Sequence, residues 1–190
     1  NKSSVTNASS TKSASMTFEF LGTDASGIGI DHFECSIDNS DFVTCTSPFT
    51  SSKLLKDGTH IFRVLPEDKV GNRGTSPASF NWTVDTLPPT TAINTAIDGN
   101  NGTLVSGNST MSTSMSFTFS GNDRGLENNG VGIKQIECSI DNSNFTACVS
   151  PIEYSNLTEG VHRLEVVSED KVGNKGSIPS SFNWTIDTKA

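Results

Sequence analysis

The sequence predicts an all-β protein built from two copies of one β-sandwich unit, and three observations lead to this fold class. First, long stretches of the chain recur about 100 residues further on. Second, apolar residues alternate with polar ones, as at Met16, Phe18 and Phe20, which is the period of a half-buried strand. Third, Gly, Pro, Asn and Asp bound these alternating runs, as is typical of turns between strands.

The repeat also predicts the domain boundaries. Three blocks of the first copy recur in the second: residues 33–48 match 136–151, residues 57–74 match 159–176, and residues 79–86 match 181–188. The copies differ most in a loop that is longer in the second copy, at 121–130, and surface loops tolerate such insertions. Since a sandwich domain has about 100 residues, we predict domains at 1–87 and 88–190. The linker contains two adjacent prolines, so we expect a stiff spacer.

Charge and hydropathy exclude two classes of partner. The net charge of −8 and a pI near 4.7 argue against binding to a nucleic-acid backbone. No apolar run is long enough to span a membrane, so we expect no transmembrane segment in this piece. The first residues also lack the pattern of a signal peptide, and we expect any such peptide to lie outside this piece.

Each copy contains two cysteines that flank a predicted hairpin. Cys35 and Cys45 lie on either side of the turn residues Asn39 and Ser40, which would place the two thiols directly opposite each other. Cys138 and Cys148 repeat this spacing in the second copy. We therefore predict the disulfides Cys35–Cys45 and Cys138–Cys148, and with them an oxidising, extracellular compartment. Free buried thiols and a metal site are the alternatives, although no ligating histidine spacing accompanies the cysteines.

The order of these motifs resembles a known group of proteins. ECSID at 34–38, EDKVGN at 67–72 and FNWTVDTLPP at 80–89 resemble the tandem immunoglobulin-like, or fibronectin III-like, repeats of bacterial and archaeal surface proteins. The resemblance covers nearly all of both copies and implies two tandem immunoglobulin-like β-sandwich domains. It also implies a role as spacer, lattice element or adhesin stalk, because such modules rarely carry one common molecular function.

The first copy departs from this pattern at its start. Residues 85–97 form a linker and a first strand for the second copy, whereas Asn1 aligns only with Asn100. We therefore expect the first copy to lack its opening strand, either because the piece is cut from a longer chain or because another subunit donates that strand. The chain also ends where the next linker would follow, after the motif at 184–188.

Acidic residues in the loops predict a calcium site at the domain junction. In an immunoglobulin-like sandwich, the loop between the second and third strands and the loop between the last two strands lie where the chain enters. The residues concerned are Asp85, Asp123, Glu169 or Asp170, and Asn174 in the second copy, and Asp24, Glu67 or Asp68, and Asn72 in the first. Carboxylate and amide oxygens are the ligands of Ca²⁺, and the resemblance implies such sites. Asx-turns in the DKVGN segments are the alternative.

Sequons for N-glycosylation are frequent. They occur at Asn1, Asn7, Asn81, Asn101, Asn108, Asn144, Asn156 and Asn183. Asn81 and Asn183 precede Trp82 and Trp184 on predicted strands, so a tryptophan that faces the core would turn its asparagine to solvent. This geometry permits glycosylation, but it also suits any polar residue.

The motifs of catalysis are missing, so we predict that the protein is not an enzyme. The three histidines, His32, His60 and His162, have no nucleophile elbow or zinc motif beside them. His60 and His162 recur at the start of a predicted strand, which favours a turn or structural role. We expect a structural module of a surface layer, sheath or filament, with neighbouring modules or identical subunits as partners. The alternatives are the stalk of a cell-surface adhesin and a carbohydrate-binding module.

Overall fold

The structure is a computed structural model that describes residues 7–25, 27–124 and 130–189. The chain divides into two compact units, Asn1–Thr86 and Leu87–Ala190. Every regular element of the described residues is a β-strand, which confirms the predicted fold class. Accordingly, no helix suited to crossing a membrane occurs in this described part.

The first unit is a sandwich of a five-stranded sheet and a two-stranded sheet. Its strands are β1 (Ser9–Thr11), β2 (Thr17–Phe18), β3 (Ile30–Ile37), β4 (Val43–Cys45), β5 (Phe49–Thr50), β6 (Gly58–Asp68) and β7 (Ala78–Val84). The large sheet has the order β1-β7-β6-β3-β4, and the small sheet pairs β2 with β5. The pairs are antiparallel except for β1 and β7, which run parallel.

The second unit repeats this plan with a third strand in its small sheet. Its strands are β8 (Thr90–Asp98), β9 (Ser109–Thr110), β10 (Met115–Asn122), β11 (Ile133–Ile140), β12 (Thr146–Cys148), β13 (Ile152–Tyr154), β14 (Gly160–Asp170) and β15 (Ser180–Ile186). The large sheet has the order β12-β11-β14-β15-β9, and the small sheet has the order β13-β10-β8. The strand β8 has no counterpart among the described residues of the first unit, where β2 pairs with β5 alone.

Alternating apolar residues of both sheets form the core of each unit. Trp82 on β7 and Trp184 on β15 are both only 1% exposed, and each lies at the centre of its core. The ring of Phe18 on β2 lies 5.2 Å from that of Trp82, and Phe117 on β10 lies at the same distance from Trp184. The period of two in the sequence therefore marks the core-facing side of each strand.

Both predicted disulfides are present, but the register of the hairpin differs from the prediction. Cys35 bonds to Cys45 and Cys138 to Cys148, with Cα atoms 5.8 Å apart in each pair. Cys35 pairs across the ladder with Val43, so the two cysteines of the first unit are diagonal neighbours and not directly opposite. The reason is that the residues with positive φ are Asp38 and Asn39, one position earlier than predicted.

Candidate functional site

The acidic residues predicted to bind calcium in the second unit lie where the chain enters that unit. Thr90, the first residue of β8, pairs with Asn122 at the end of β10. Asp123 follows directly, and Asp170 ends β14 at the same end of the sandwich, which we call the entrance pole. The carboxylate oxygens of Asp123 and Asp170 lie within 4.8 Å of each other. Two carboxylates this close can share one divalent cation.

Asp170 is buried, and backbone turns already use most of its hydrogen-bonding capacity. Its Oδ1 accepts the backbone N–H groups of Val172 at 2.9 Å and Asn174 at 2.8 Å. Its Oδ2 accepts the side-chain amide of Asn174 at 2.7 Å. These bonds form the Asx-turn that the sequence offered as the alternative. One lone pair of Oδ2 is left for a cation, so Asp170 fits Ca²⁺ as a monodentate ligand.

Asp123 is held by a bond of the same kind. Its Oδ2 accepts the backbone N–H of Gly132 at 2.6 Å, across the loop between β10 and β11. This bond fixes one oxygen of the carboxylate. The donor set of Asp123 and Asp170 therefore consists of hard carboxylate oxygens, as calcium requires.

Glu169 and Glu67 lie apart from these aspartates. Successive residues of a strand point to opposite faces of a sheet, so Glu169 faces away from Asp170. Its carboxylate binds Lys134 Nζ at 2.8 Å and accepts the amide of Gln135 at 3.0 Å. The hydrogen bond from Lys134 holds the pKa of Glu169 below its usual value. Glu67 likewise lies beside His32, at 3.9 Å. The sequence left open Glu169 or Asp170 in the second unit and Glu67 or Asp68 in the first. In each unit the aspartate, and not the glutamate, lies with the other acidic loop residue.

The first unit contains the same arrangement at its own entrance pole. Asp68 accepts the backbone N–H groups of Val70 and Asn72 and the amide of Asn72, at 2.8–2.9 Å. Asp24 accepts the N–H of Gly29 at 2.9 Å, as Asp123 does from Gly132. Hydrogen bonds from Asn72 hold the pKa of Asp68 below its usual value, although burial and the charge of Asp24 oppose this. The two aspartates are thus repeated features of the fold.

Asp85 follows β7 at the end of the first unit. Its backbone N–H donates to Thr11 O at 3.0 Å, and its side chain is 1% exposed. The equivalent residue of the second unit, Asp187, makes the same backbone bond to Thr110 O but is exposed. The repeated bond shows that this aspartate has a fixed position relative to the last strand of each unit.

The sequence indicates a structural role for His60 and His162 but not their partners, and in the structure each is buried and holds the hairpin of its unit. His60 Nδ1 lies 2.7 Å from Asp38 Oδ2, and its Nε2 lies 2.7 Å from Lys56 O. His162 makes the same contacts with Asp141 at 2.7 Å and with Thr158 O at 2.8 Å. The signal was present, since both the aspartate of SIDNS and the histidine recur in the two copies. Their role is structural, because each pair ties the hairpin turn to the long central strand.

A second group of potential metal ligands lies on the outer face of the first unit. One nitrogen of His32 and one oxygen each of Glu34 and Glu67 lie within 4.8 Å of one another. The second unit has Gln135 at the position of His32, and its amide donates to the two corresponding glutamates at 2.9 and 3.0 Å. In the first unit Glu34 also pairs with Arg73. The group is therefore part of a cross-strand network of charges.

The sequons lie mostly at the surface. Asn7, Asn101, Asn108, Asn144, Asn156 and Asn183 are exposed, Asn81 is half-buried, and Asn1 lies outside the described residues. Asn7 uses its side-chain oxygen to accept the backbone N–H of Asn81 at 2.8 Å. Exposure leaves Asn101, Asn108, Asn144, Asn156 and Asn183 accessible for modification.

Comparisons with known proteins give only distant structural likenesses. No family model matches the chain, and no curated protein matches it. Among solved structures, the chain is similar to the fibronectin(III)-like modules of Clostridium thermocellum CbhA, with 16% identity, a TM-score of 0.43 and coverage of 98% of this chain and 92% of that chain.

Two further solved structures are similar over a smaller share of their length. The extracellular domain of the one-component system BT4673 of B. thetaiotaomicron has 12% identity and a TM-score of 0.41, with coverage of 89% of this chain and 30% of that chain. A tetra-tandem repeat from the extending region of a large adhesion protein has 17% identity and a TM-score of 0.32, with coverage of 85% and 43%. Because these TM-scores are below 0.5, the fold assignment rests on the sheets described above.

Proposed function

We propose that the chain is a non-catalytic structural segment of an extracellular protein, in which rigid sandwich modules follow one another in series in a surface layer, sheath or filament. The observation that supports this most strongly is that the chain enters and leaves the second unit at opposite poles. The chain enters at Thr90, beside Asn122 and Asp170, at the entrance pole. It leaves after Ile186, which pairs with Gly160 and Thr110 at the opposite pole.

A unit with its ends at opposite poles transmits force along its whole length. Near the exit, β9 runs parallel to β15, and the N–H groups of Thr185 and Asp187 donate to Asn108 O and Thr110 O at 3.1 and 3.0 Å. In the first unit, β1 runs parallel to β7 in the same way. Tension between the ends of a unit therefore acts along these strands and shears their hydrogen bonds together. This arrangement suits a module that extends or tiles a surface structure.

The proposed location can be tested on intact cells. The two disulfides support an extracellular setting, since such bonds persist in oxidising compartments. Cells that make the full-length protein should be labelled by antibodies against this segment without permeabilisation, and electron microscopy should show the label on an ordered layer or filament. Labelling that requires permeabilised cells would contradict the extracellular proposal.

We also propose that Ca²⁺ stabilises the entrance pole of the second unit through Asp123 and Asp170. The support is the pair of carboxylates within 4.8 Å and the spare lone pair on Asp170. Saturation at about ten times the Kd would stabilise the unit by about 1.4 kcal/mol. In thermal unfolding, calcium should raise the midpoint of the wild-type chain relative to EDTA.

Matched variants make this calcium test specific. Asp123→Asn keeps an acceptor for the Gly132 N–H but loses the charge, so the calcium shift should disappear. Asp24→Asn, which makes the equivalent change in the first unit, should retain the shift. An unchanged midpoint in the wild type, or a full shift in Asp123→Asn, would refute the proposal.

Strand addition to the first unit is a further part of the proposal. In the second unit β8 pairs with β10 over its whole length, with Ala96 opposite Phe117. The equivalent of Phe117 is Phe18 on β2, so a strand from a neighbouring module or an identical subunit would take the same register. A peptide of residues 90–98 should raise the unfolding temperature of the first unit. A peptide with the same composition in scrambled order is the control, and an equal effect of the two peptides would count against strand addition.

Two other functions can be separated by direct observation. A stalk of an adhesin would give discrete full-length molecules with a distal binding domain in electron micrographs. A carbohydrate-binding module would bind glycans through this pair of units alone, which isothermal titration with soluble oligosaccharides measures.

A further inference from the structure

The two units differ at one inward-facing position of the small sheet. Ser51 follows β5, and its backbone N–H donates to Met16 O at 3.0 Å. Tyr154 occupies the equivalent position at the end of β13, where it pairs with Met115, the counterpart of Met16. It is the only tyrosine of the chain. The two copies therefore place a small hydroxyl and a large phenol at the same point of the same fold.

In the second unit, the phenol ring of Tyr154 fills space beside the core on the inner side of the small sheet. The ring packs against the core, with its centroid 6.3 Å from that of Phe117. Burial raises the pKa of Tyr154, and the negative charge of Asp141 at the hairpin turn raises it further. The ring is therefore part of the packing of the second core.

In the first unit, the corresponding space is a cavity of about 440 Å³. Its apolar wall consists of Cys35, Ile37, Phe49 and Leu55. Phe49 and Phe62 replace the smaller Ile152 and Leu164, but their rings stack on each other at 5.5 Å. The two phenylalanines add volume to the first core, but they do not fill the cavity, because their rings pack against each other.

The mouth of the cavity carries apolar side chains that are unusually exposed. Val43 is 59% exposed and Leu54 is 81% exposed, and both line the cavity. The second unit has the polar Thr146 in place of Val43, and its loop after Tyr154 is one residue shorter than the loop that contains Leu54. Apolar surface at a cavity mouth is costly in water and favours a site that is covered when a ligand binds.

Polar groups at the edge of the cavity match a hydroxyl group. Asp38 lines the cavity and corresponds to Asp141 of the second unit. His60 Nδ1 holds the Asp38 carboxylate at 2.7 Å, so this acceptor has a fixed position. A phenol whose ring lay against the apolar wall would place its hydroxyl at this edge of the cavity, within reach of Asp38.

We propose that the first unit binds a small para-substituted phenol in this cavity, in the position that the second unit fills with its own Tyr154. The apolar wall would cover the ring, and Asp38 would accept a hydrogen bond from the hydroxyl. This site is independent of the proposed structural role, since it uses neither the edge of β2 at which strand addition is proposed nor the entrance pole.

The test is a titration of the whole chain with 4-methylphenol, followed by ¹H–¹⁵N NMR. We expect a Kd on the order of 1 mM, the range for a ligand of this size. Shifts should be confined to the segments around 37–43 and 49–56. Ser51→Tyr, which fills the cavity with the side chain of the second unit, should weaken binding by at least about tenfold.

Matched variants and a matched ligand keep the test decisive. Thr50→Tyr adds the same ring at the neighbouring position, whose side chain lies on the outer face, and should bind 4-methylphenol like the wild type. The wild type should bind 4-methylcyclohexanol more weakly, because this ligand lacks the flat ring and the acidic hydroxyl. Undiminished binding to Ser51→Tyr, equal affinity for the two ligands, or no saturable binding would overturn the proposal.

Discussion

The two units share a polar framework but differ in how their cores are filled. Each has the same histidine–aspartate pair, the same Asx-turn and the same disulfide-linked hairpin. In the first core Phe62 stacks on Phe18 at 4.1 Å, whereas the second core has Leu164 at the same point. The comparison shows that the turns and hairpins require specific polar residues, while the core requires apolar volume and tolerates different shapes.

The small sheets differ more than the cores. Met115 and Phe119 of the second unit are 2% and 4% exposed beneath β8, whereas their counterparts Met16 and Phe20 are only half-buried. The first unit therefore buries less apolar surface on this side. We expect it to unfold before the second unit, and the following predictions test this difference from the largest effect to the smallest.

Removal of a central tryptophan should have the largest effect. Trp82→Ala or Trp184→Ala should each destabilise its own unit by about 3–5 kcal/mol, because the lost ring leaves a cavity among buried neighbours. Denaturation in urea, followed by circular dichroism, measures the loss, and the remaining tryptophan reports on the other unit by fluorescence. Trp82→Ala should unfold the first unit at lower urea than Trp184→Ala unfolds the second. The reverse order would contradict the comparison.

Loss of a disulfide should have an intermediate effect. Replacement of both cysteines of one pair by alanine should cost about 2–3 kcal/mol in chain entropy. Both loops have a sequence separation of 10, so the entropic cost should be equal in the two units. Calorimetry of the two double variants compares them, and a difference well above 1 kcal/mol would show that local packing dominates.

Protonation of His162 should have the smallest effect. Burial lowers the pKa of His162, but its hydrogen bonds to Thr158 O and Asp141 outweigh this and raise the pKa above 6.5. The folded state thus binds the proton more tightly than the unfolded chain, so this contribution is complete below about pH 6.5 and is lost as the pH rises through the folded-state pKa. Denaturant titrations across this range should show the loss in the wild type and not in His162→Gln. An equal dependence of the unfolding free energy on pH in the wild type and in His162→Gln would contradict the role assigned to His162.

The fold could be predicted from the sequence because its signals are local. The alternation at Met16, Phe18 and Phe20 and the spacing of Cys35 and Cys45 each depend on a few adjacent residues. The register of the hairpin was misjudged because Asp38 and Asn39, rather than Asn39 and Ser40, adopt positive φ. Asp and Asn tolerate this conformation better than Ser, so the signal was available in the residue types.

The site was harder to predict because it depends on contacts between distant strands. The choice between Glu169 and Asp170 requires knowledge of which face each residue takes, and that depends on the pairing of β14 with β11. The cavity beside Ser51 was not predictable from one unit alone. The cavity is recognised as a potential ligand site only when Ser51 is aligned with Tyr154, because the ring of Tyr154 fills the equivalent space in the second unit.

Single-molecule pulling between the two ends of the chain tests the central claim, that each unit is a separate sandwich in series with its neighbour. We predict two unfolding steps, the first from the unit with the two-stranded sheet. Reduction of the disulfides should lengthen each step by about 30 Å, the extension of the ten-residue separation that each disulfide closes. A single step, or steps whose length is the same before and after reduction, would contradict the account.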